Sequence, residues 1–303
     1  MAKAKVGGKT KQLKRNDRFW LSIFLVPNLS MYTLFILFPS AIGVLLSFCE
    51  WNLLGKIKWV GFENYKRLFS DENLVPSFLR TLKFMGLGVL PTIFGGFLIA
   101  VLVNWKVKGM GAFRAMFFLP LTVSTAVAGI AWSSIFNPEF GWINAILKKV
   151  GITGPEWLTS YSWALPAITI IVIWLSLPLV IILYLSGLQR ISPEILEAAQ
   201  LDGANAWQRL WGIIFPCVSS TTALVSVIEI LAFLGAPFEV SLIMVQGGPL
   251  DATTSLAYYA YKVAFDDFEI GYASAITMAQ FFVMLAIALI VLQVRKVIKK
   301  RGQ

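Results

Sequence analysis

The chain has 303 residues, of which 57% are hydrophobic and 14% charged, and its 26 lysines and arginines outnumber its 16 acidic residues. A soluble protein carries roughly 25% charged residues, so this composition excludes a soluble enzyme and a disordered chain. Histidine is absent and only two cysteines are present, so we predict no metal site and no catalytic residue.

Six apolar stretches reach the roughly 20 residues that a helix needs to cross a bilayer. In chain order they are residues 20–48, 84–103, 117–136, 163–188, 213–235 and 272–294, and none contains a lysine or an arginine. The predicted fold class is therefore an all-α membrane protein with six transmembrane helices. Residues 20–294 form its membrane domain, between a basic N-terminal tail (1–19) and a basic C-terminal tail (295–303).

The basic residues are unevenly divided between the two sides of these spans. Seven precede residue 20, three lie in the second loop, two in the fourth loop and five after residue 294, which places 17 of the 26 on one side. Because cytoplasmic loops carry the excess of lysine and arginine, both termini are predicted to be cytoplasmic. This topology and the lipid bilayer account for the net charge of +10, so no nucleic-acid partner is predicted.

Two short motifs have simpler explanations than the functions they suggest. Gly8-Lys9-Thr10 resembles the end of a phosphate-binding loop, but Lys3 stands where that loop needs a glycine. Asp266, Asp267 and Glu269 suggest the metal-binding acids of a membrane prenyltransferase, but no span offers the second cluster that such an enzyme needs. We interpret the first motif as a basic tail and the second as a solvated outer loop.

The fourth loop is predicted to form two short helices joined at a glycine. Ser192 and Pro193 favour a helix start, Asp202 and Gly203 favour its end, and a second helix is expected from about Asn205. Periodicity alone fits an anchor that lies on lipid headgroups equally well. The small and acidic residues of the first helix instead favour close docking against another protein.

A run of residues in this loop resembles the EAA loop of bacterial ABC importer permeases. Glu197-Ala198-Ala199 is followed at the family's spacing by Gly203 and then by Ile213, Phe215 and Pro216, with phenylalanine at 215 in place of the usual leucine. The wider segment 187–204 is similar to the carbohydrate-type branch, which is related to maltose and glycerol-phosphate permeases. Segments 60–65, 113–120, 141–144, 247–249 and 271–275 agree in order and spacing, so the resemblance covers nearly the whole chain after Phe19.

The resemblance implies a type I ABC importer permease fold and a set of partners. A second permease subunit would complete the pathway, an ATPase dimer would bind ATP and magnesium, and an extracytoplasmic solute-binding protein would meet the outer loops, including Gly247, Gly248 and Pro249. The chain itself would need no cofactor and would not be an enzyme. The coupling loop would span about residues 189–216, and the residues implied to couple it to the ATPase are Glu197, Ala198, Ala199, Asp202, Gly203 and Pro216.

Glu229 is the charged residue in the middle of a predicted span, where a charge is costly unless it is paired, hydrated or protonated. It is interpreted either as a structural hydrogen-bonding group or, preferably, as part of the solute path, with Phe233 one turn later as a stacking face for a sugar. By resemblance to maltose-type relatives, the substrate path is expected to include Glu229, Phe233, Ala236, Val172, Leu175, Ser176, Leu121 and Thr125.

Together with the predicted spans, the resemblance implies a multi-pass permease in the inner or plasma membrane of a bacterial cell. It would be a subunit of an ATP-driven importer of a sugar, an oligosaccharide or a related polyol. The alternative is a secondary transporter driven by an ion gradient, a class that usually shows repeated halves and paired intramembrane ionisable groups. A membrane-embedded enzyme is the third reading, and the chain offers no carboxylate or histidine constellation for it.

Overall fold

The computed structural model describes residues 15–104 and 110–301, and most of these residues are helical. Gly8-Lys9-Thr10, Lys106 and Lys108 lie outside the described residues. Within the described part of the chain, five continuous helices are long and apolar enough to cross a bilayer, and a pair of helices bent by 113° provides a sixth crossing if it is counted as one span. The predicted all-α fold with six spans is confirmed in this form.

The first span consists of α1 (Arg15–Tyr32), a π-helical turn (Thr33–Leu37) and α2 (Phe38–Leu46). Nearly all its side chains from Trp20 onward are exposed, so the span presents an apolar surface to lipid or to another protein. Only the end of α2 approaches burial, where the chain turns into the extramembrane layer.

A short hairpin and a one-turn helix follow the first span. Strands β1 (Cys49–Glu50) and β2 (Lys58–Trp59) are antiparallel, with Cys49 opposite Trp59, and α3 comprises Glu63–Arg67. The side-chain amide of Asn64 donates to the carbonyls of Ser47 and Cys49, both at 2.9 Å, and so attaches α3 to the hairpin. The sequence analysis did not predict this hairpin, because two-residue strands are too short to show an alternating pattern.

The second and third spans differ in continuity. Helix α4 (Leu74–Asn104) begins earlier than the predicted residue 84, so its outer turns carry Arg80 and Lys83. The third span is broken into α5 (Met110–Phe118), a 3-10 turn (Leu119–Thr122) and α6 (Thr125–Ile135). The break contains the buried Pro120, and the Ser124 hydroxyl accepts a hydrogen bond from the Val127 N–H to start α6. The third span predicted over 117–136 is therefore a bent pair of helices rather than one continuous helix, because proline interrupts it.

The second half of the chain contains the remaining helices. They are α7 (Trp142–Lys149), α8 (Ala164–Leu188), α9 (Pro193–Leu201), α10 (Ala206–Arg209), a π-helical turn (Leu210–Ile214), α11 (Phe215–Cys217), α12 (Ser219–Gly235), α13 (Pro237–Met244), α14 (Leu256–Phe265) and α15 (Ile270–Arg301). The fifth span runs from Ser219 through Met244 rather than over 213–235, because Pro237 occupies the first turn of α13 and allows helix to resume after Gly235.

The core of the molecule lies where α4, α8 and α12 pack together. Two glycines of α4 permit this close approach: a Cβ at Gly88 would lie 1.9 Å from the Phe233 ring of α12, and a Cβ at Gly96 would lie 2.4 Å from Val180 of α8. Small residues at helix interfaces are the usual means of close packing in membranes, where dispersion contacts replace the hydrophobic effect. Helices α8 and α12 also flank the loop that resembles an EAA motif, so this core connects directly to it.

Candidate functional site

The loop between α8 and α12, residues 189–216, forms the two-helix elbow that the sequence predicted. Helix α9 has Ser192 at its N-cap position and Pro193 in its first turn, although the Ser192 side chain makes no capping hydrogen bond. The helix ends at Gly203, whose φ of +79° is a left-handed conformation that glycine adopts readily. Asn205 and Gln208 then form a capping box that starts α10, with hydrogen bonds of 2.9 and 2.8 Å.

Most of the predicted coupling residues lie on the open surface of the elbow. Glu197, Ala198, Asp202 and Gly203 are exposed, and so is Pro216 on α11, whereas Ala199 is buried. Ala199 therefore holds α9 against the rest of the chain and does not lie on the exposed surface, in contrast to the expectation for the whole set. In a helix, residues two positions apart lie on nearly opposite sides, so residue 199 faces away from residues 197 and 201. The coupling roles of these residues stay predictions.

The sequence analysis missed Leu201, which is the most exposed large hydrophobic side chain of the elbow. It is 90% exposed at the last turn of α9, and it shares a helix face with Glu197 and Ala198. A fully exposed leucine beside small residues is suited to insertion into a pocket of another protein. Leu201 lies outside the residues that carry the resemblance to the EAA loop, which explains why the sequence analysis did not select it.

An aromatic cluster connects the elbow to the membrane helices. Trp211, in the π-helical turn, lies 5.9 Å from the Phe97 ring of α4 and 5.3 Å from Phe215 of α11, measured between ring centroids. Phe97 in turn lies 5.5 Å from Tyr184 of α8, and the Tyr184 hydroxyl donates to Thr222 of α12 at 3.2 Å. The elbow is therefore fixed to α4 and α8 by packed rings, and α8 is joined to α12 by the Tyr184 hydrogen bond, so a displacement of the elbow would move those helices.

Glu229 is deeply buried at the predicted solute path. Its exposed fraction is 1%, its carboxyl group interacts with the Ser176 side chain of α8, and its Oε2 atom has no hydrogen-bond partner among the described residues. The structure thus brings together two of the predicted path residues from different helices. An acceptor left unpaired at this depth is costly, so Glu229 is a candidate for contact with a ligand or with another subunit.

The other predicted path residues are placed in three different environments. Phe233 and Val172 are buried in the core, and the Phe233 ring packs on Gly88, so in this conformation neither face of the ring is open to a sugar. Leu175 and Ala236 are partly buried. Leu121 is exposed, and Thr125, in the first turn of α6, is partly buried. The substrate-contacting role of the set stays a prediction.

Hydroxyl side chains that the sequence analysis did not select lie on the same face of α12 as Glu229. Thr222, Ser226 and Glu229 follow one another at helical spacing, and the hydroxyls of Thr222 and Ser226 donate to the carbonyls of the preceding turn at 3.2 and 2.8 Å. The spacing of four and three residues is the signal that could have found them. Both hydroxyls donate to carbonyls of their own helix, whereas the Oε2 atom of Glu229, on the same face, has no partner among the described residues.

The outer loop between α13 and α14 is rigidly built. Gln246, Leu250 and Asp251 have positive φ angles of 49°, 48° and 59°, which are uncommon for residues other than glycine. Thr253 stabilises this conformation: its backbone N–H donates to the Gly247 carbonyl at 3.1 Å, and its hydroxyl donates to the Gly248 carbonyl at 3.1 Å. The loop displays Leu250 at its tip, 85% exposed, so the predicted surface for a solute-binding protein is an ordered one.

Ion pairs and aromatic rings fasten the outer ends of the helices. The Arg67 guanidinium of α3 pairs with the Glu269 carboxylate at 2.5 Å and lies 4.0 Å from the centre of the Tyr272 ring of α15. Glu269 belongs to the acidic run that was interpreted as a solvated loop, and Asp266 and Asp267 in that run are exposed. Among the residues that the structure describes, no group of histidines, cysteines and acids could hold a metal ion.

Asp71 accepts hydrogen bonds from the hydroxyls of Tyr259, at 2.7 Å, and Tyr272. Burial by itself raises the pKa of Asp71, but the hydrogen bonds from Tyr272, Tyr259 and the Asn73 backbone, together with the charge of Arg67, outweigh burial and hold the pKa below its ordinary value. The ionised carboxylate of Asp71 therefore stabilises the contact between the start of α4 and helices α14 and α15.

We expect this contact to weaken in acid. A carboxylate whose pKa is lowered on folding stabilises the protein above its ordinary pKa, here 3.8, and loses that contribution as the pH falls through the lower folded value. The thermal midpoint of the purified protein should fall over this acidic range, and Asp71→Asn should flatten that part of the profile. Glu72→Gln, at the exposed neighbouring residue, is the matched control. An Asp71→Asn profile that follows the parent protein would contradict this assignment.

The chain is similar to known membrane components of transport systems over most of its length. A family described as "Binding-protein-dependent transport system inner membrane component" matches residues 92–301. The probable ABC transporter permease protein YurN of Bacillus subtilis (strain 168) is 31% identical over 272 residues, 88% of this chain and 92% of that protein. The multiple sugar-binding transport system permease protein MsmF of Streptococcus mutans is 31% identical over 283 residues, 92% of this chain and 96% of that protein.

A solved structure is similar over almost the same length. It is the crystal structure of a bacterial ABC transporter involved in the import of the acidic polysaccharide alginate, in which one chain matches with a TM-score of 0.78 and 25% sequence identity. The match covers 93% of this chain and 96% of that chain. A second structure of a bacterial alginate ABC transporter, in complex with a periplasmic protein that holds an alginate pentasaccharide, matches with a TM-score of 0.77.

Proposed function

Because the chain belongs to the family of binding-protein-dependent transport system inner membrane components, we propose that it is one of two permease subunits of an ATP-driven importer of a sugar, an oligosaccharide or a related polyol. It is an inner-membrane permease with the fold of a type I ABC importer subunit. The proposal extends this to the energy source, the partners and the solute. The observation that carries it is the elbow, with its exposed face of Glu197, Ala198, Leu201 and Asp202.

The elbow is suited to transmit a movement made by another protein. Its outer face is exposed, and its inner face is fixed to α4 and α8 through Trp211, Phe97 and Tyr184. A packed cluster of rings moves as a unit, so a push on α9 would rotate the spans as rigid bodies rather than deform the loop. We therefore place ATP and magnesium on a separate ATPase dimer that receives α9, and we assign this chain the coupling step only.

The solute would come from an extracytoplasmic binding protein that rests on the outer loops. Support for this partner comes from the alginate transporter, which was solved with its periplasmic protein, and from the ordered loop around Leu250 in this chain. Support for a carbohydrate solute comes from the sugar-binding system that includes MsmF. A second permease subunit would face this chain across the pathway and supply the polar contacts that the apolar path residues here lack.

The experiment that tests the proposal begins with the affinity-tagged chain purified from its own host in mild detergent. We expect an ATPase and a second permease to co-purify with it, and the assembly to take up a labelled solute into vesicles only with ATP and the binding protein. Thermal-shift screening of the binding protein against sugars and polyols would identify the solute. Uptake by the chain alone, driven by an ion gradient without ATP, would support the secondary-transporter alternative and overturn the proposal.

A further inference from the structure

A groove of about 510 Å³ lies between the inner end of α4 and the elbow. One wall consists of apolar residues of α4, and the other comes from α9, α10 and the π-helical turn. Leu98 and Leu102 belong to the first wall, and Leu196, Gln200, Ala206 and Leu210 belong to the second. The groove therefore begins at the level of a membrane-spanning helix and ends at a polar rim.

The rim combines a tryptophan and an arginine. Trp207 is 69% exposed, as is common for tryptophans at the boundary between lipid and water. Arg209 also lines the groove, and none of the ion pairs found among the described residues involves its guanidinium. A positive rim above an apolar cleft matches the chemistry of an anionic phospholipid.

The ATPase-facing surface of the elbow is not the surface that lines this groove. Leu196 and Gln200 lie one turn apart on the groove side of α9, whereas at 100° per residue Ala198 and Leu201 are turned away from that side by roughly 180° and 120°, and neither lines the groove. A partner docked on Ala198 and Leu201 would leave the groove open to the membrane. The walls contributed by α4 also favour an occupant that reaches membrane depth, which an acyl chain does and a soluble ATPase does not.

We propose that this groove binds an anionic phospholipid, with an acyl chain between α4 and the elbow and its phosphate paired with Arg209. The lipid would fill the groove beside Leu210 and Ile214 and hold the elbow at a defined distance from α4. This site goes beyond the proposed transport function, and binding can be measured whether or not the protein imports a sugar.

The test measures lipid binding to the purified membrane assembly by native mass spectrometry after titration with phosphatidylglycerol or with phosphatidylcholine. We expect retention of phosphatidylglycerol in preference to phosphatidylcholine, and a loss of roughly tenfold in apparent affinity in Arg209→Gln, as removal of one desolvated ion pair predicts. Arg190→Gln, at an exposed arginine of the same elbow that does not line the groove, should bind like the parent protein.

Two further variants keep the test decisive if Arg209→Gln alters folding. Arg209→Lys preserves the charge and should retain the preference, whereas Ala206→Phe fills the groove and should reduce binding while leaving Arg209 in place. Equal retention of the two lipids, or equal binding by Arg209→Gln and the parent protein, would overturn the proposal. Loss of lipid whenever the ATPase is bound would overturn it as well, because the groove would then belong to the protein interface.

Discussion

Leu201→Asp is expected to detach the chain from the ATPase that we propose as its partner, while leaving the membrane domain folded. Leu201 is 90% exposed in the isolated chain, so its replacement removes no internal packing. Burial of a leucine in a partner's pocket contributes about 1.5–3 kcal/mol, and a carboxylate in the same pocket adds a desolvation cost. We therefore expect ATPase retention on the tagged permease to fall by roughly tenfold or more, measured by quantitative mass spectrometry of the purified assembly.

Leu250→Asp is the matched control for this variant. Leu250 is 85% exposed at the tip of the outer loop, and aspartate tolerates its positive φ better than leucine does. The two variants make the same chemical change at equally exposed leucines on opposite sides of the membrane. Leu250→Asp should keep the ATPase and weaken only the interaction with the solute-binding protein. Equal loss of ATPase from both variants, or from neither, would contradict the placement of the docking surface on α9.

Glu229→Gln is expected to reduce solute uptake by roughly tenfold or more without lowering the thermal midpoint, because a hydrogen bond to a charged group contributes about 1.5–3 kcal/mol. Oε2 of Glu229 is unpaired among the described residues. Replacing the carboxylate with an amide of the same shape should therefore remove little of the stability of the fold. The role of the Glu229 carboxylate in transport would be to accept hydrogen bonds from hydroxyls of the solute. The measurement is ATP-dependent uptake in vesicles, with assembly and melting recorded for the same preparation.

Ser226→Ala provides the comparison for Glu229→Gln. Ser226 lies on the same face of α12, but its hydroxyl already donates to the Thr222 carbonyl at 2.8 Å, so its removal should leave uptake close to that of the parent protein. Normal uptake by Glu229→Gln would contradict a contact between Glu229 and the solute and would leave Glu229 with a structural role or none. A variant that loses stability together with uptake would assign it to the packing of α8 against α12 through Ser176.

The sequence predicted the features that arise from local pattern. The elbow is the clearest case: proline at 193, glycine at 203 and Asn205 produced the helix start, the left-handed end and the capping box that the structure contains. These signals are read correctly because each depends on the conformational preference of one residue or on a contact three residues away. The sharp bend in the third span was not predicted, because hydropathy does not register the break at Pro120.

Side-chain surroundings could not be predicted in the same way. Glu229 was selected from the sequence because of its charge at membrane depth, but its neighbour Ser176 lies more than 50 positions earlier in the chain, and only the packing of α8 on α12 brings the two together. Phe233 was expected to face a sugar, and the structure places its ring on Gly88 of α4 instead. A helix that is apolar on all sides gives no amphipathic signal, so its sequence does not show which face packs against which neighbour. That orientation depends on the helices around it.

The sequence by itself determined that this protein lies in a membrane, how many times it crosses, and which loop resembles a coupling motif, since charge deficit, apolar length and cap residues are local properties. Only the tertiary structure decided which face of that loop is open, that Leu201 lies on that face while Ala199 is buried, and that an aromatic cluster joins the loop to α4 and α8. Exposure and packing depend on residues far apart in the chain, so they become defined only when the helices are assembled.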